Sequence, residues 1–80
     1  MKIGGLYRVN GYFFTHKDEP NSLMPIMVQQ YYNKIGPKDY FILLAHRPWR
    51  KSLSVMTILI KDEKRYIVAT EENLVEAKND

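Results

Sequence analysis

The hydrophobic positions of this chain fall into short runs separated by polar turns, a pattern typical of proteins built mainly from strands. Residues 40–45 read YFILLA, a continuous apolar run. A run of this length predicts a strand that is covered on both faces. Residues 53–60 are rich in β-branched side chains, and apolar positions return at residues 65–69 after the charged stretch KDEK at 61–64. We therefore expect three consecutive strands with a hairpin tip at residues 61–64.

The two ends of the chain also predict strands. LYRV at residues 6–9 and YFFT at residues 12–15 flank Asn10-Gly11, a dipeptide typical of two-residue hairpins, so we expect a hairpin or a sharp bend there. Residues 70–73 predict one helical turn that Thr70 caps, with two glutamates suited to its N-terminal dipole. A short closing strand at residues 74–77 follows.

Residues 23–35 support two interpretations. A helix is indicated by an apolar stripe at helical spacing, formed by Met24, Met27, Val28, Tyr31 and Ile35. Several residues of this segment are better strand formers than helix formers, and Pro25 is tolerated only in the first turn of a helix. We favour an irregular, partly extended loop over residues 17–36, with one short helix as the alternative.

The order of elements from residue 36 to residue 77 resembles that of an SH3-like barrel. KDYFILL at residues 38–44 is similar to the strand that follows the first long loop of that family. Residues 46–51 then take the place of the n-Src loop, and residues 61–64 that of the distal hairpin. RYI followed by NLV is similar to the family's last two strands, which a short 3₁₀ turn connects. The resemblance implies a single domain over residues 1–80, mostly β: a small five-stranded barrel with a long loop at residues 17–36.

The resemblance concerns the architecture and not the polyproline-binding function of SH3 domains. The chain has no Ala-Leu-Tyr-Asp-Tyr motif, no acidic cluster in the first long loop and no proline in the 3₁₀ turn, and Leu74 stands where the family has a ligand-facing tyrosine. Barrels of this shape bind proteins, DNA or RNA, so the fold alone does not choose a ligand.

Composition places the chain among small intracellular domains. It has 80 residues, of which 45% are hydrophobic, and no cysteine. These values exclude disulfide bonds and thiolate metal sites, and they argue against disorder. No apolar run approaches the ~20 residues of a membrane-spanning helix, and the N-terminus lacks the apolar region of a signal peptide. We expect a cytoplasmic protein that does not associate with membranes.

The charge is uneven along the chain. The net charge is +3, but residues 1–70 carry eleven Lys and Arg against five Asp and Glu, a net +6. Such a basic body attracts nucleic acid or an acidic protein. It is also common on ordinary soluble domains.

Catalytic and metal-binding patterns are nearly absent. Only two histidines occur, and no serine lies in a nucleophile-elbow context. His16 with Asp18 and Glu19 is the single weak candidate for a metal site, and we favour a turn rich in polar residues as its explanation. We expect no enzymatic activity, no metal and no cofactor.

Two segments carry the candidate binding residues. The loop at residues 46–51 holds the only tryptophan among cations, and we select Arg47, Trp49, Arg50 and Lys51. Trp and Arg are frequent in interface hot spots, whereas a Trp49 that folds back onto the barrel would be structural. Met27, Tyr31 and Tyr32 form the second set, which is a protein-binding patch if exposed and a packed loop if buried. Strand aromatics at Tyr7, Tyr12 and Phe14 are a weaker third candidate for base stacking.

These features predict a non-catalytic module that binds, or inhibits, a protein partner. Its small size and aromatic content are typical of accessory proteins of phages or mobile elements. The alternative is a small barrel that binds nucleic acid through loop 46–51, with Arg8, Lys34 and Lys38 contributing charge. We expect a monomer or a homodimer that pairs through an edge strand.

Overall fold

The residues that the structure describes form one curled antiparallel sheet of seven strands, a half-barrel. The computed structural model describes residues 1–20 and 31–77, with the side chains of Tyr31 and Tyr32 excluded. The strands are β1 (Leu6–Val9), β2 (Phe13–His16), β3 (Tyr31–Ile35), β4 (Phe41–Pro48), β5 (Ser54–Ile60), β6 (Glu63–Ala69) and β7 (Leu74–Glu76). Their order across the sheet is β3-β2-β6-β5-β4-β1-β7.

The prediction of a mostly β fold is confirmed, but the expected count of five strands is wrong. β2 and β3 form an additional antiparallel pair, which joins β6 through His16 and Tyr66. Residues 31–35 are therefore a strand and not part of a loop or helix. Residues 21–30, where the rest of the helical stripe falls, lie outside the described residues.

The hairpin predicted at Asn10-Gly11 is wrong, and the alternative of a sharp bend is what forms. β1 pairs with β4 and β7, whereas β2 pairs with β3 and β6. The bend carries the chain from β1, next to one edge of the sheet, to β2, next to the opposite edge. A two-residue signal sets the local turn, but the strands select their partners by tertiary packing.

The core covers the concave face of the sheet, because strand side chains alternate between the two faces. Residues from β1, β3, β4, β5 and β6 meet there and are almost fully buried: Tyr7, Val9, Ile35, Phe41, Leu43, Met56, Ile58, Ile60, Ile67 and Ala69. Phe13 and Leu74 pack against this cluster. The concave face is called the inner face below, and the opposite one the outer face.

A β-bulge in β4 bends the strand. Leu43 pairs with Ile58 and Ala45 pairs with Thr57, so Leu44 is an extra residue with no partner in β5. Such an insertion kinks the strand and increases its twist. Leu44 and Ala45 consequently both lie on the outer side, where they are exposed. The predicted strand at residues 40–45 forms, but the expectation that both its faces are covered is wrong.

The hairpin between β5 and β6 is tighter than predicted. Ile60 pairs with Glu63, which leaves Lys61 and Asp62 as the two-residue loop. Both have positive φ, 51° and 64°, as a type I′ turn requires. Neither residue is glycine, so both occupy a backbone region that costs L-residues energy.

A 3₁₀ turn at Glu71–Asn73 precedes β7, as predicted. Asn73 carries much of its hydrogen bonding: its Oδ1 accepts from the backbone N–H of Thr70 at 3.0 Å and from the Thr70 hydroxyl at 2.9 Å. Asn10 in turn donates to the carbonyl of Glu72 and accepts from the Asn73 amide. The turn is therefore tied to the bend between β1 and β2.

Within the described residues, no helix is long and apolar enough to cross a membrane.

Candidate interaction surfaces

The connection between β4 and β5 is shorter than the predicted loop at residues 46–51. His46, Arg47 and Pro48 belong to β4 and pair with residues of β5. The connection itself closes with two backbone hydrogen bonds, from the N–H of Trp49 to the carbonyl of Leu53 at 2.9 Å and from the N–H of Leu53 to that of Arg50 at 2.8 Å.

The sequence left open whether Trp49 is exposed or folds back onto the barrel. Trp49 is half-buried. Its indole Nε1 is buried and finds no hydrogen-bond partner among the described residues. The guanidinium carbon of Arg50 lies 4.4 Å from the ring centroid, a cation–π distance. Trp49 thus anchors the loop, and Arg50 covers part of its ring.

Arg47 is engaged within the chain. Its guanidinium donates to the Glu19 carboxylate at 2.7 and 3.2 Å and to the carbonyl of Pro20 at 3.1 Å. These contacts hold the segment after β2 beside the C-terminal end of β4. Val55, the cross-strand neighbour of Arg47, is buried there although it lies outside the main core cluster. Arg47 therefore helps to cover the outer face at this end of the sheet.

Acidic residues lie near the basic loop. Ser52 and Ser54 line a cleft of about 390 Å³ together with Thr70, Glu71 and Glu72. Both glutamates are exposed. They line the same cleft as Ser52, the residue that directly follows Lys51. Acidic groups beside a basic loop reduce its electrostatic attraction for a phosphate backbone.

The second predicted set is only partly covered by the structure. Tyr31 and Tyr32 begin β3, and the backbone of Tyr31 pairs with His16. Met27 lies outside the described residues.

An apolar row that is open to solvent begins just before β4 and continues along the outer face of that strand. Tyr40, Ile42 and Leu44 follow one another at every second position and are 53%, 37% and 38% exposed. Ile42 is flanked by its partners Leu6 on β1 and Leu59 on β5, both half-buried. We call Tyr40, Ile42 and Leu44 the β4 outer row.

A second exposed surface lies on the β2–β3 pair. Phe14 on β2 faces Lys34 on β3, and Tyr12, just before β2, lies on the same side. Tyr12 is 71% and Phe14 51% exposed. The Lys34 Nζ is 5.3 Å from the Tyr12 ring centroid and 5.8 Å from that of Phe14, so one ammonium group contacts the faces of two rings.

The turn between β3 and β4 forms the wall of a cleft beside Tyr12. The cleft has a volume of about 420 Å³ and is lined by Tyr12, Lys34, Ile35, Gly36, Pro37, Lys38 and Asp39. The Asp39 carboxylate accepts a hydrogen bond from the N–H of Gly36 at 2.8 Å, which closes the turn. A Cβ on Gly36 would lie 2.6 Å from Cε1 of Tyr12, so glycine is what lets the ring lie over the turn. We call this the Tyr12 cleft.

The sequence indicated these two surfaces only weakly. Phe13 and Phe14 do face opposite sides, as their adjacency predicts, and Tyr7 is a core residue whose hydroxyl accepts from the N–H of Lys2. The sequence shows Tyr12 and Phe14 at alternate positions. Lys34 lies opposite them because residues 31–35 form β3, a strand that the sequence did not predict. The β4 outer row was hidden within a continuous apolar run.

Comparisons with protein-family models, with curated proteins and with solved structures found no match for this chain. In the part of the chain that the structure describes, no three His, Asp or Glu side chains come together as metal ligands could. The candidate sites described above are surfaces, defined by their own geometry.

Proposed function

We propose that this protein is a non-catalytic interaction module of SH3-like architecture that binds a protein partner. Five strands in the order β6-β5-β4-β1-β7, with the 3₁₀ turn before the closing strand, support the SH3-like assignment. The β2–β3 pair then takes the position of the long first loop.

The observation that carries the proposal is the β4 outer row. Three large side chains at alternate positions stand exposed, Tyr40 just before β4 and Ile42 and Leu44 on it, and the half-buried Leu6 and Leu59 extend the row to both sides. Contiguous apolar surface of this kind on a small domain marks interaction sites. Ile42, at the centre of the row, pairs with both neighbouring strands, which fixes its position on the outer face.

The alternative of nucleic-acid binding through loop 46–51 has weaker support. Arg47 already pairs with Glu19, and Arg50 lies against Trp49. Glu71 and Glu72 share a cleft with the serines that follow Lys51. Protein interfaces, by contrast, combine apolar anchor residues with a few cations at the rim.

The test is affinity capture from a lysate of the protein's own cells, after nuclease treatment and at moderate salt. Wild type is compared with Leu44→Glu, which places a charge in the β4 outer row, and with Trp49→Ala. The control is Phe14→Glu, which also replaces an exposed apolar side chain with glutamate, on another strand. We expect one specific partner to be lost with Leu44→Glu and retained with Phe14→Glu.

The same preparations also test self-association. Sedimentation equilibrium of wild type and Leu44→Glu distinguishes a foreign partner from a second copy of the chain. A protein whose captured partners are identical for wild type and Leu44→Glu, or disappear on nuclease treatment, does not function as proposed.

A further inference from the structure

We propose that the Tyr12 cleft and the adjacent Phe14 bind single-stranded nucleic acid, with one base on Tyr12, a neighbouring base on Phe14 and phosphate at Lys34 and Lys38. The rings of this site stand on or just before β2, whereas the β4 outer row proposed for the protein partner begins at Tyr40, next to Asp39 of the cleft. The Trp49 loop lies at the other end of β4, eight residues away, which is roughly 26 Å at ~3.3 Å per residue.

The aromatic geometry suits unpaired bases. Tyr12 and Phe14 project from the same side at consecutive alternate positions, so their attachment points are separated by ~7 Å along the chain. Both rings are more than half exposed. Exposed aromatic rings on a sheet are the platforms on which single-stranded nucleic acids stack, and stacking accepts any base because each has a π-face.

The charges suit a phosphate between those bases. The Lys34 ammonium group lies within 6 Å of both ring centroids, so a phosphate that joins two stacked bases can reach it. Lys38 lines the cleft from the turn, and neither lysine forms a salt bridge to any residue that the structure describes. Among the residues that the structure describes, Asp39 is the only carboxylate lining the cleft, and it already accepts the hydrogen bond that closes the turn.

The size and the walls of the cleft agree with a nucleotide. Its volume of about 420 Å³ falls within the range of ~300–1,000 Å³ typical of small-ligand sites. Apolar side chains of Ile35 and Pro37 line it beside the tyrosine ring. A double helix keeps its bases stacked inside, so it offers these rings no faces to stack on.

The test is fluorescence anisotropy of a 5′-labelled ten-nucleotide oligo-dT strand, titrated with the full chain at low salt. Loss of one aromatic platform is expected to weaken binding by about 5- to 150-fold, so Tyr12→Ala and Phe14→Ala should each fall in that range. Lys34→Gln should reduce the slope of log K against log salt by about 0.7. Lys61→Gln is the matched control for Lys34→Gln, a lysine exposed at the tip of the β5–β6 hairpin, and should bind like wild type.

Gly36→Ala changes the shape of the Tyr12 cleft and retains its aromatic and charged side chains. The new Cβ must displace the Tyr12 ring, and because that ring is 71% exposed it can move with little loss of stability. Binding should fall although every aromatic and cationic group is retained. Circular dichroism and thermal melts of each variant establish that it is folded.

Several results would overturn the inference. They are no binding by wild type at low salt, equal binding of a duplex, full retention of affinity in Tyr12→Ala, and displacement of the oligonucleotide by polyglutamate at equal charge. A change in Trp49 emission on binding, together with an unaffected Tyr12→Ala, would place the nucleic acid at the other end of β4. Leu44→Glu should still bind the oligonucleotide. The nucleic-acid site and the protein interaction are therefore tested separately, and either proposal can be refuted while the other holds.

Discussion

Leu43 and Leu44 are adjacent leucines that the same substitution should affect very differently. Leu43 is fully buried in the core cluster, whereas Leu44, the bulged residue, is 38% exposed. Leu→Ala removes three carbon atoms. At ~0.8 kcal/mol per methylene, this loses about 2.4 kcal/mol of burial free energy at a fully buried site.

At Leu43 a cavity term adds to this loss, because the surrounding strands cannot collapse completely. We expect Leu43→Ala to lower the free energy of unfolding by roughly 3–4 kcal/mol. At Leu44 the side chain is only partly buried and leaves no enclosed cavity, so we expect about 1 kcal/mol. A domain of this size has a total stability of about 4–12 kcal/mol, so the difference should be readily measured.

The assay is urea unfolding followed by circular dichroism and by the fluorescence of Trp49, with both probes required to give one transition. Leu43→Val, which removes less volume, supplies a measurable value if Leu43→Ala does not fold. A larger loss of stability for Leu44→Ala than for Leu43→Ala would refute the position of the bulge and the assignment of the inner face. Equal losses would show that β4 is covered on both sides.

Three further predictions concern the turns and the surface. Asp62→Gly should stabilise the protein by about 0.5–1 kcal/mol, because glycine adopts the φ of 64° without the cost that an L-residue incurs, and thermal melts should show it. Asn73→Ala should destabilise by roughly 1–2 kcal/mol in urea unfolding, since it removes the acceptor for two hydrogen bonds of Thr70. Glu19→Gln should cost less than about 1 kcal/mol, because its ion pair with Arg47 is nearly half exposed, and the small effect should shrink further in high salt.

Each of these has an internal control. Glu76→Gly, at a strand position, should lower the stability of the protein, whereas Asp62→Gly should raise it. Asn73→Asp keeps an oxygen acceptor and should retain part of the stability that Asn73→Ala loses. A Glu19→Gln variant as unstable as Asn73→Ala would mean that the ion pair is more than a surface contact.

The local pattern of the sequence determined most of the strands. β4, β5 and β6 follow from β-branched and apolar runs between polar turns, and the 3₁₀ turn follows from the residues around Thr70. These elements are specified by nearest neighbours: alternation with the pleat, the turn chemistry between hairpin strands, and a polar cap. Such signals do not depend on the rest of the chain.

Strand partners and exposure were decided only by the tertiary structure. Asn10-Gly11 predicts a turn, yet whether the strands on either side pair depends on where β4, β6 and β7 lie. The bulge at Leu44 depends on the register between two strands, and a shift of one residue moves side chains to the other face. No residue near Leu44 carries that information.

The candidate sites follow the same division. The sequence by itself determined that the chain is rich in aromatic and basic residues and has almost no catalytic pattern. Only the fold decided that Arg47 pairs with Glu19 and that Lys34 lies between Tyr12 and Phe14. These contacts join residues that are about 20 or more positions apart, and it is the packing of whole strands that brings them together.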